Sequence, residues 1–188
     1  MIRYTANQTL QQTFIDDDIS YTDFENCIFR NCDFTTCDFT GVAFIDCTFH
    51  DCLFASARIN YVALRGAHFN GCDFSDVNFA MVDKMLFDIS FSNCNLDRTK
   101  FYTLKLPKTI FTACSIIASD FMASDISDVV FDACNLHKTV FIDTIANRTD
   151  FYTSINYEID PEKNKLTKAV FSKDGLKGLL ARHQIIIK

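Results

Sequence analysis

Nine cysteines carry most of the chemically capable side chains of this 188-residue chain, and they are not scattered. Cys32, Cys52, Cys72, Cys94, Cys114 and Cys134 recur every twenty residues, with one interval of twenty-two. If the chain closes a layer every twenty residues, these six thiols stack in one column about 4.8 Å apart. Such a column raises metal binding and disulfide formation as possibilities. Parallel side chains in a straight ladder do not converge into the tetrahedron that zinc needs. Their Cβ vectors point alike rather than toward each other, which is poor disulfide geometry. The reading that fits is structural: reduced thiols buried as small hydrophobes.

The four histidines, His50, His68, His137 and His183, fall on positions expected to face outward. None joins a serine, cysteine or carboxylate on a neighbouring layer in a way that builds a nucleophile and its base. Cys134 and His137 belong to opposite sides of the chain, one inward and one outward. No Gly-rich phosphate loop is present, as only 5 glycines occur. These observations point away from an enzyme, and no metal, catalytic or cofactor-binding residue is expected.

The elements that must position the thiols are set by a second column. Phe29, Phe49, Phe69, Phe91, Phe111, Phe131, Phe151 and Phe171 share the cysteines' period and the same interval of twenty-two. Between them lie three further apolar centres at steps of five, such as Phe34, Phe39 and Phe44. A period of five that closes after four steps describes a chain turning four corners per layer. The expected fold is therefore all-β: a right-handed, quadrilateral parallel β-helix of about eight rungs. Each layer has one large inward residue per side, with a small one two positions earlier. All nine cysteines occupy that small position, shared with Ala, Val, Ser and Thr. Asp or Asn often precedes the centre (Asp33, Asp38, Asp73, Asn95, Asp120, Asp125), where a short polar chain can bond to the corner backbone.

Residues 1–11 read as a lead-in and 12–171 as the repeat body. Two extra residues near 80–86 should form a local bulge, since the Phe column continues from Phe69 to Phe91. Asn156 and Pro161 stand where centres should be, so 154–165 is expected to bulge outward as a loop. Residues 172–188 read as a cap or dimerisation tail. Asp174 is the expected N-cap, Leu176, Leu179 and Leu180 share one helical face, and Ile185, Ile186 and Ile187 form a short strand.

Strings such as CDFTT-CDFTG resemble the signature of the pentapeptide-repeat proteins, and the resemblance spans roughly residues 12 to 171. It implies the same quadrilateral β-helix. The order of repeats, Leu-Leu helix and short apolar strand is similar to the quinolone-resistance (Qnr-type) members. That resemblance implies end-to-end homodimers through the carboxyl terminus. It also implies DNA mimicry toward type II topoisomerases, DNA gyrase or topoisomerase IV. No long loop projects from the repeats before Ser154, unlike some quinolone-protecting members.

Charge bears on that implication. The formal net charge is −6, which leaves no basic excess for neutralising phosphates, so direct nucleic-acid binding is not expected. Residues 1–85 net −7, residues 86–154 net −2 and residues 155–188 net +3. Asp23, Glu25, Asp46, Asp83, Asp88, Asp125 and Asp128 fall near one side and form the candidate acidic face. A rod of eight layers is about 38 Å long, and DNA of that length carries about 22 charges. The first 154 residues carry a net −9, so mimicry requires the charge to be gathered on one face. No stretch of about eighteen apolar residues is present to span a bilayer, and MIRYTANQTLQQTF lacks a signal-like apolar run. The expectation is a cytoplasmic interaction solenoid, with a generic scaffold of unknown protein partner as the alternative to the topoisomerase reading.

Overall fold

The computed structural model describes residues 3–11, 13–14, 19–35, 37–84, 88–106 and 108–186. The expected centre Leu86 and the tail residue Ile187 lie outside these. The described chain is a parallel β-solenoid. Its strands are β1 (Arg3–Ala6), β2 (Thr9–Leu10), β3 (Thr22–Glu25), β4 (Ile28–Arg30), β5 (Ala43–Ile45), β6 (Thr48–His50), β7 (Ala63–Asn70), β8 (Asp88–Ser92), β9 (Ile110–Thr112) and β10 (Val130–Asp132). All their pairings are parallel. Two sides of the square contain true strands. The others are held by single bridges such as Asp73↔Asn95 and Lys100↔Asp120.

The Phe column is continuous. Phe29 stacks on Phe49 at 4.7 Å, Phe69 on Phe91 at 5.3 Å, and Phe151 on Phe171 at 5.2 Å. Rings from adjacent columns meet edge to face, as Phe111 and Phe121 do at 84°. Stacking up a column and T-shaped contact between columns are both favoured by the ring quadrupole, at about 0.5–1.5 kcal/mol per pair beyond area burial. In the second half, Leu96, Leu106, Ile116, Ile126 and Leu136 are buried among the Phe columns, so branched chains fill the space the rings leave.

Corners along the bridge-held sides are β-turns. In the fifth layer Thr99 N–H donates to Leu96 O, with Arg98 between them at φ 58°. This position repeats around the rod with Asn, Asp, Ala, Lys, Thr or Arg at positive φ. The left-handed conformation costs an L-residue roughly 1–2 kcal/mol. The inter-layer ladder holds it there, which is why so few glycines suffice. The Asp or Asn before each centre works as expected. Asp33, Asp73, Asp120 and Asp150 each accept the N–H two residues on, at 2.8–2.9 Å.

Two segments differ from the sequence expectation. The lead-in is already a solenoid layer: β1 pairs with β3, setting Thr5 under Phe24, and β2 pairs with β4, setting Leu10 under Phe29. Neither Thr5 nor Leu10 continues the aromatic pattern, so the layer is hidden in the sequence. The ladder is irregular where β7 meets β8. The register slips between Arg65 and Ala67, and Phe69 still faces Phe91. The segment 154–165 does not simply loop outward: Ser154, Tyr157 and Ile159 are buried, and only the turn around Asp160 to Lys163 projects.

The tail also differs. Residues Asp174–Leu179 and Ala181–His183 are short 3-10 turns rather than an α-helix, and Asp174 lies in the first turn instead of capping it. Ser172 Oγ takes the capping role by accepting the Gly175 N–H at 3.1 Å. Leu179 packs on the core, whereas Leu176 and Leu180 are exposed, so the three leucines do not share one buried face. Ile185 and Ile186 are exposed and form no strand. Among the described residues no helix is long and apolar enough to cross a membrane.

Candidate functional site

All nine thiols are free and buried. The position they occupy does more than accept small volume. Cys94 Sγ donates to the carbonyl of Phe69 at 3.6 Å and Cys134 Sγ to that of Phe111 at 3.4 Å. Ser119, Thr144 and Thr149 do the same from equivalent positions, to Leu96, Phe121 and Ile126, at 2.7–2.9 Å. Each of these five donors ties its layer to a carbonyl of the layer below. This explains why Cys, Ser and Thr interchange there while larger polar residues do not.

Four of the thiols, Cys47, Cys72, Cys94 and Cys114, are held neutral. Burial pushes Cys47 up to about 12. Contact with the next thiol of the column, with burial added, pushes Cys94 and Cys114 to about 12 as well. Cys72, between Cys52 and Cys94, is raised by both neighbours. Cys52 and Cys134 are shifted the other way because a neighbouring S–H donates to them. A nucleophile needs thiolate character and access, and these positions give no access. Among the described residues no group of three or more His, Cys, Asp or Glu is arranged to hold a metal ion. The histidines stay apart: His137 and His183 are exposed, and His68 Nδ1 lies 2.7 Å from Ser90 Oγ.

What remains for function is the outer surface. Cations stand among the residues of the candidate acidic face. Asp23 and Glu25 lie on β3, and Glu25 accepts the Tyr4 hydroxyl at 2.6 Å. Asp46, at φ 51°, closes over Gly66, where a Cβ would run into its carboxylate. Above them Arg65 pairs with Asp83 at 3.5 Å and faces Asp88 in the ladder. Lys105 lies beside Asp125 in the backbone ladder, and Arg148 grips Asp128 with two bonds of 2.6 Å. The Arg148 guanidinium holds the Asp128 carboxyl below its usual range. Stacking places equivalent positions of successive layers directly over one another, so a cation in one layer sits between acids of the next. The unbroken acidic stretch is therefore short, Asp23 to Asp46, and the upper part alternates in sign.

The carboxyl-terminal end was the least legible region. Tyr157 enters the interior in place of Asn156 and touches Phe151 and Phe171, with ring centroids 5.9 and 5.6 Å away. Its hydroxyl is buried without a well-aligned hydrogen bond. Burial raises the phenol, and the Ser172 hydroxyl beside it offsets this only in part. Gly175 and Gly178 pack over Tyr157, and Ile159 N–H donates to Gly178 O at 3.1 Å. Arg182 fastens the tail by pairing with Asp160 at 2.8 Å and Glu162 at 2.7 Å. The glycine spacing, with a tyrosine beside a failed repeat, was the available signal. Above this closure Leu176, Leu180, Ile185 and Ile186 remain exposed. A cavity of about 490 Å³ opens on one side of the tail, between Phe141, Ile159 and Leu179.

Comparison with known proteins agrees with this geometry. Residues 18–54 match the family model for pentapeptide repeats in eight copies, and residues 37–78 the one for nine copies. Residues 62–141 match the model for a pentapeptide repeat region. No curated protein matches the chain. Among solved structures, one trypsin-treated variant of QnrB1, described as a plasmid-mediated fluoroquinolone resistance protein, aligns with a TM-score of 0.56 and 18% identity, over 96% of this chain and 99% of that one. A second variant aligns at 0.52 and 16%, over 100% and 98%. At such identities the likeness is one of fold.

Proposed function

Since the chain belongs to the pentapeptide-repeat family, we propose that it works as a non-enzymatic interaction rod whose outer faces bind another protein. The observation that carries this reading is the division of chemistry in the cross-section. Every thiol is buried in the interior, while the surface offers laddered side chains at a fixed repeat. Reduced, buried thiols also suit the cytoplasm, where disulfides are rare.

The partner class we put first is a type II topoisomerase, DNA gyrase or topoisomerase IV. The resemblance of fold to QnrB1 over nearly the whole chain supports it. So does the short acidic stretch of Asp23, Glu25 and Asp46 at the amino-terminal end. The interleaved cations above that stretch favour a contact limited to this end over mimicry of a full-length duplex. In a supercoiling assay, the purified protein should bind gyrase and relieve quinolone inhibition, and Asp23→Asn with Glu25→Gln should weaken relief. Absence of both effects with the unaltered protein leaves the scaffold reading with a different protein partner.

For assembly, the reading is a homodimer joined at the carboxyl-terminal ends. Exposed Leu176, Leu180, Ile185 and Ile186 at the end of the rod support it, since a monomer gains nothing from presenting them together.

A further inference from the structure

The short acidic stretch at the amino-terminal end shares its surface with two tyrosines, Tyr21 and Tyr61, which are 58% and 64% exposed. They hold the same corner place in alternate layers, with Gly41 between them, and Tyr21, Gly41 and Tyr61 are all left-handed, at φ 54°, 70° and 60°. Because Gly41 has no side chain, the Tyr21 ring leans up into its corner. A Cβ on Gly41 would stand 2.8 Å from Tyr21 Cδ1 and 2.9 Å from Cε1. The rest of the ring is turned to solvent. Past this corner the strand face is low, with Ala43 directly above Asp23 in the ladder and Ala63 directly above Ala43. Ring and carboxylate therefore border one shallow surface floored by methyl groups. Glu25 follows on the same strand, its carboxylate held by the Tyr4 hydroxyl at 2.6 Å, and Asp46 stands at the far corner.

Charge selects the occupant. Elsewhere on the rod Asp76, Asp128 and Asp160 each have an arginine within 2.8 Å. Among the described residues, Asp23, Glu25 and Asp46 have no cation within ion-pair distance. Cations border the stretch. Arg65 is paired with Asp83, and Arg58 lies beside Asp38 in the ladder of the adjoining side. Arg3 reaches Ser20 O at 3.4 Å below Tyr21, and Lys84 follows Asp83 in the layer above Tyr61. An apolar occupant would desolvate the carboxylates of Asp23, Glu25 and Asp46 without pairing them, and an anionic one is repelled. A cation fits, and the rings decide its kind. A guanidinium stacks on an aromatic face while its fork of N–H groups takes a neighbouring carboxylate. A compact, strongly hydrated ammonium does neither as well.

We propose that this corner is a docking site for arginine side chains of a partner protein, with a guanidinium stacked on Tyr21 or Tyr61 and its N–H groups on Asp23, Glu25 or Asp46. The proposal rests on the reading of the acidic stretch as the contact end of the rod, and it names the residue type that this end takes.

The test uses the full chain and two labelled peptides of equal charge, Gly-Arg-Gly-Arg-Gly-Arg-Gly and its lysine counterpart, at about 0.15 M salt. The arginine peptide should bind more tightly, by about two- to fivefold for each ring it covers. Tyr21→Ala with Tyr61→Ala should bring it down to the level of the lysine peptide. Asp23→Asn with Glu25→Gln and Asp46→Asn should weaken both peptides. Ala113, Ala118 and Ala123 hold corner places at positive φ, so alanine suits the turn, and an unchanged circular dichroism melt confirms an intact rod. Equal binding of the two peptides, binding of neither, or an arginine preference that survives loss of both tyrosines overturns the proposal. The supercoiling assay is read separately. An arginine preference without protection of gyrase removes the topoisomerase reading and spares this one. Protection of gyrase without an arginine preference does the reverse.

Discussion

Gly178 lies against the main chain of Tyr157 so closely that a Cβ on the glycine would enter the space of the tyrosine carbonyl oxygen. The contact closes the solenoid. Tyr157 turns its ring under the tail and against Phe171, and the tail can lie flat over it only where no side chain intervenes. Gly175 makes the same kind of contact with the Tyr157 hydroxyl.

Gly178→Ala should therefore loosen the end of the rod while leaving its middle intact. Overpacking of this kind costs about 1–3 kcal/mol, and here the obstructing atom is backbone and cannot rotate away. Hydrogen exchange should show lost protection of the Ile159 amide, which donates to Gly178, with no change in the layers around Phe91. Equal protection in both proteins would contradict the closure described.

That contact also marks where the sequence stops being readable. The layers from Phe14 to Phe151 were legible because one side chain size repeats at one interval, and a single slip of two residues leaves later columns in phase. The inward thiols followed from the same periodicity. The end was not legible, because Asn156 fails the pattern and its function passes to Tyr157, one residue out of register. Periodicity cannot register a residue that works by breaking it. The first layer was missed for a related reason: Thr5 and Leu10 stack on the columns through backbone pairing, with no aromatic signature. The acidic face was overdrawn because a list of acids omits the cations that stacking sets between them, Arg65, Lys105 and Arg148.

Truncation of the Phe column should be graded by position. Phe111 is fully buried between Phe91 and Phe131, whereas Phe171 has a ring on one side and the tail on the other. Phe111→Ala should cost about 3–5 kcal/mol in urea denaturation. It interrupts the nearest-neighbour coupling on which both halves of a solenoid depend. Phe171→Ala should cost less and should leave the midpoint of the main transition closer to that of the parent protein. Similar losses at the two sites would mean that the end layer is as coupled as the middle.

The buried thiols make stability fall in alkali. Cys47, Cys94 and Cys114 sit near 12 when folded, against about 9 for the free group. The unfolded chain releases these protons first, so the stabilisation is complete below pH 9 and is lost as pH rises toward 12. Between pH 8 and pH 11 the urea midpoint should decline, with a loss on the order of a few kcal/mol. Replacing the three cysteines by alanine should flatten that decline. Thiol reagents should label the native protein slowly and all nine cysteines after unfolding. Fast labelling of the native rod would place the thiols at the surface, against the geometry.

Exposure separates packing from assembly within the tail. Leu179 supports the closure, while Leu176 and Leu180, 46% and 37% exposed, contribute little to the fold of one chain. If the ends of two rods meet there, Leu176→Glu with Leu180→Glu buries four like charges in the joint, two from each copy. A buried unpaired carboxylate is costly enough to prevent association. Sedimentation should then report a monomer for the double variant and a dimer for the parent at the same concentration. The thermal midpoint of the dilute protein should be unchanged, because nothing inside the rod has moved. An unchanged mass, or a parent that sediments as a monomer at high concentration, would assign these leucines to a cap and locate any partner elsewhere on the rod.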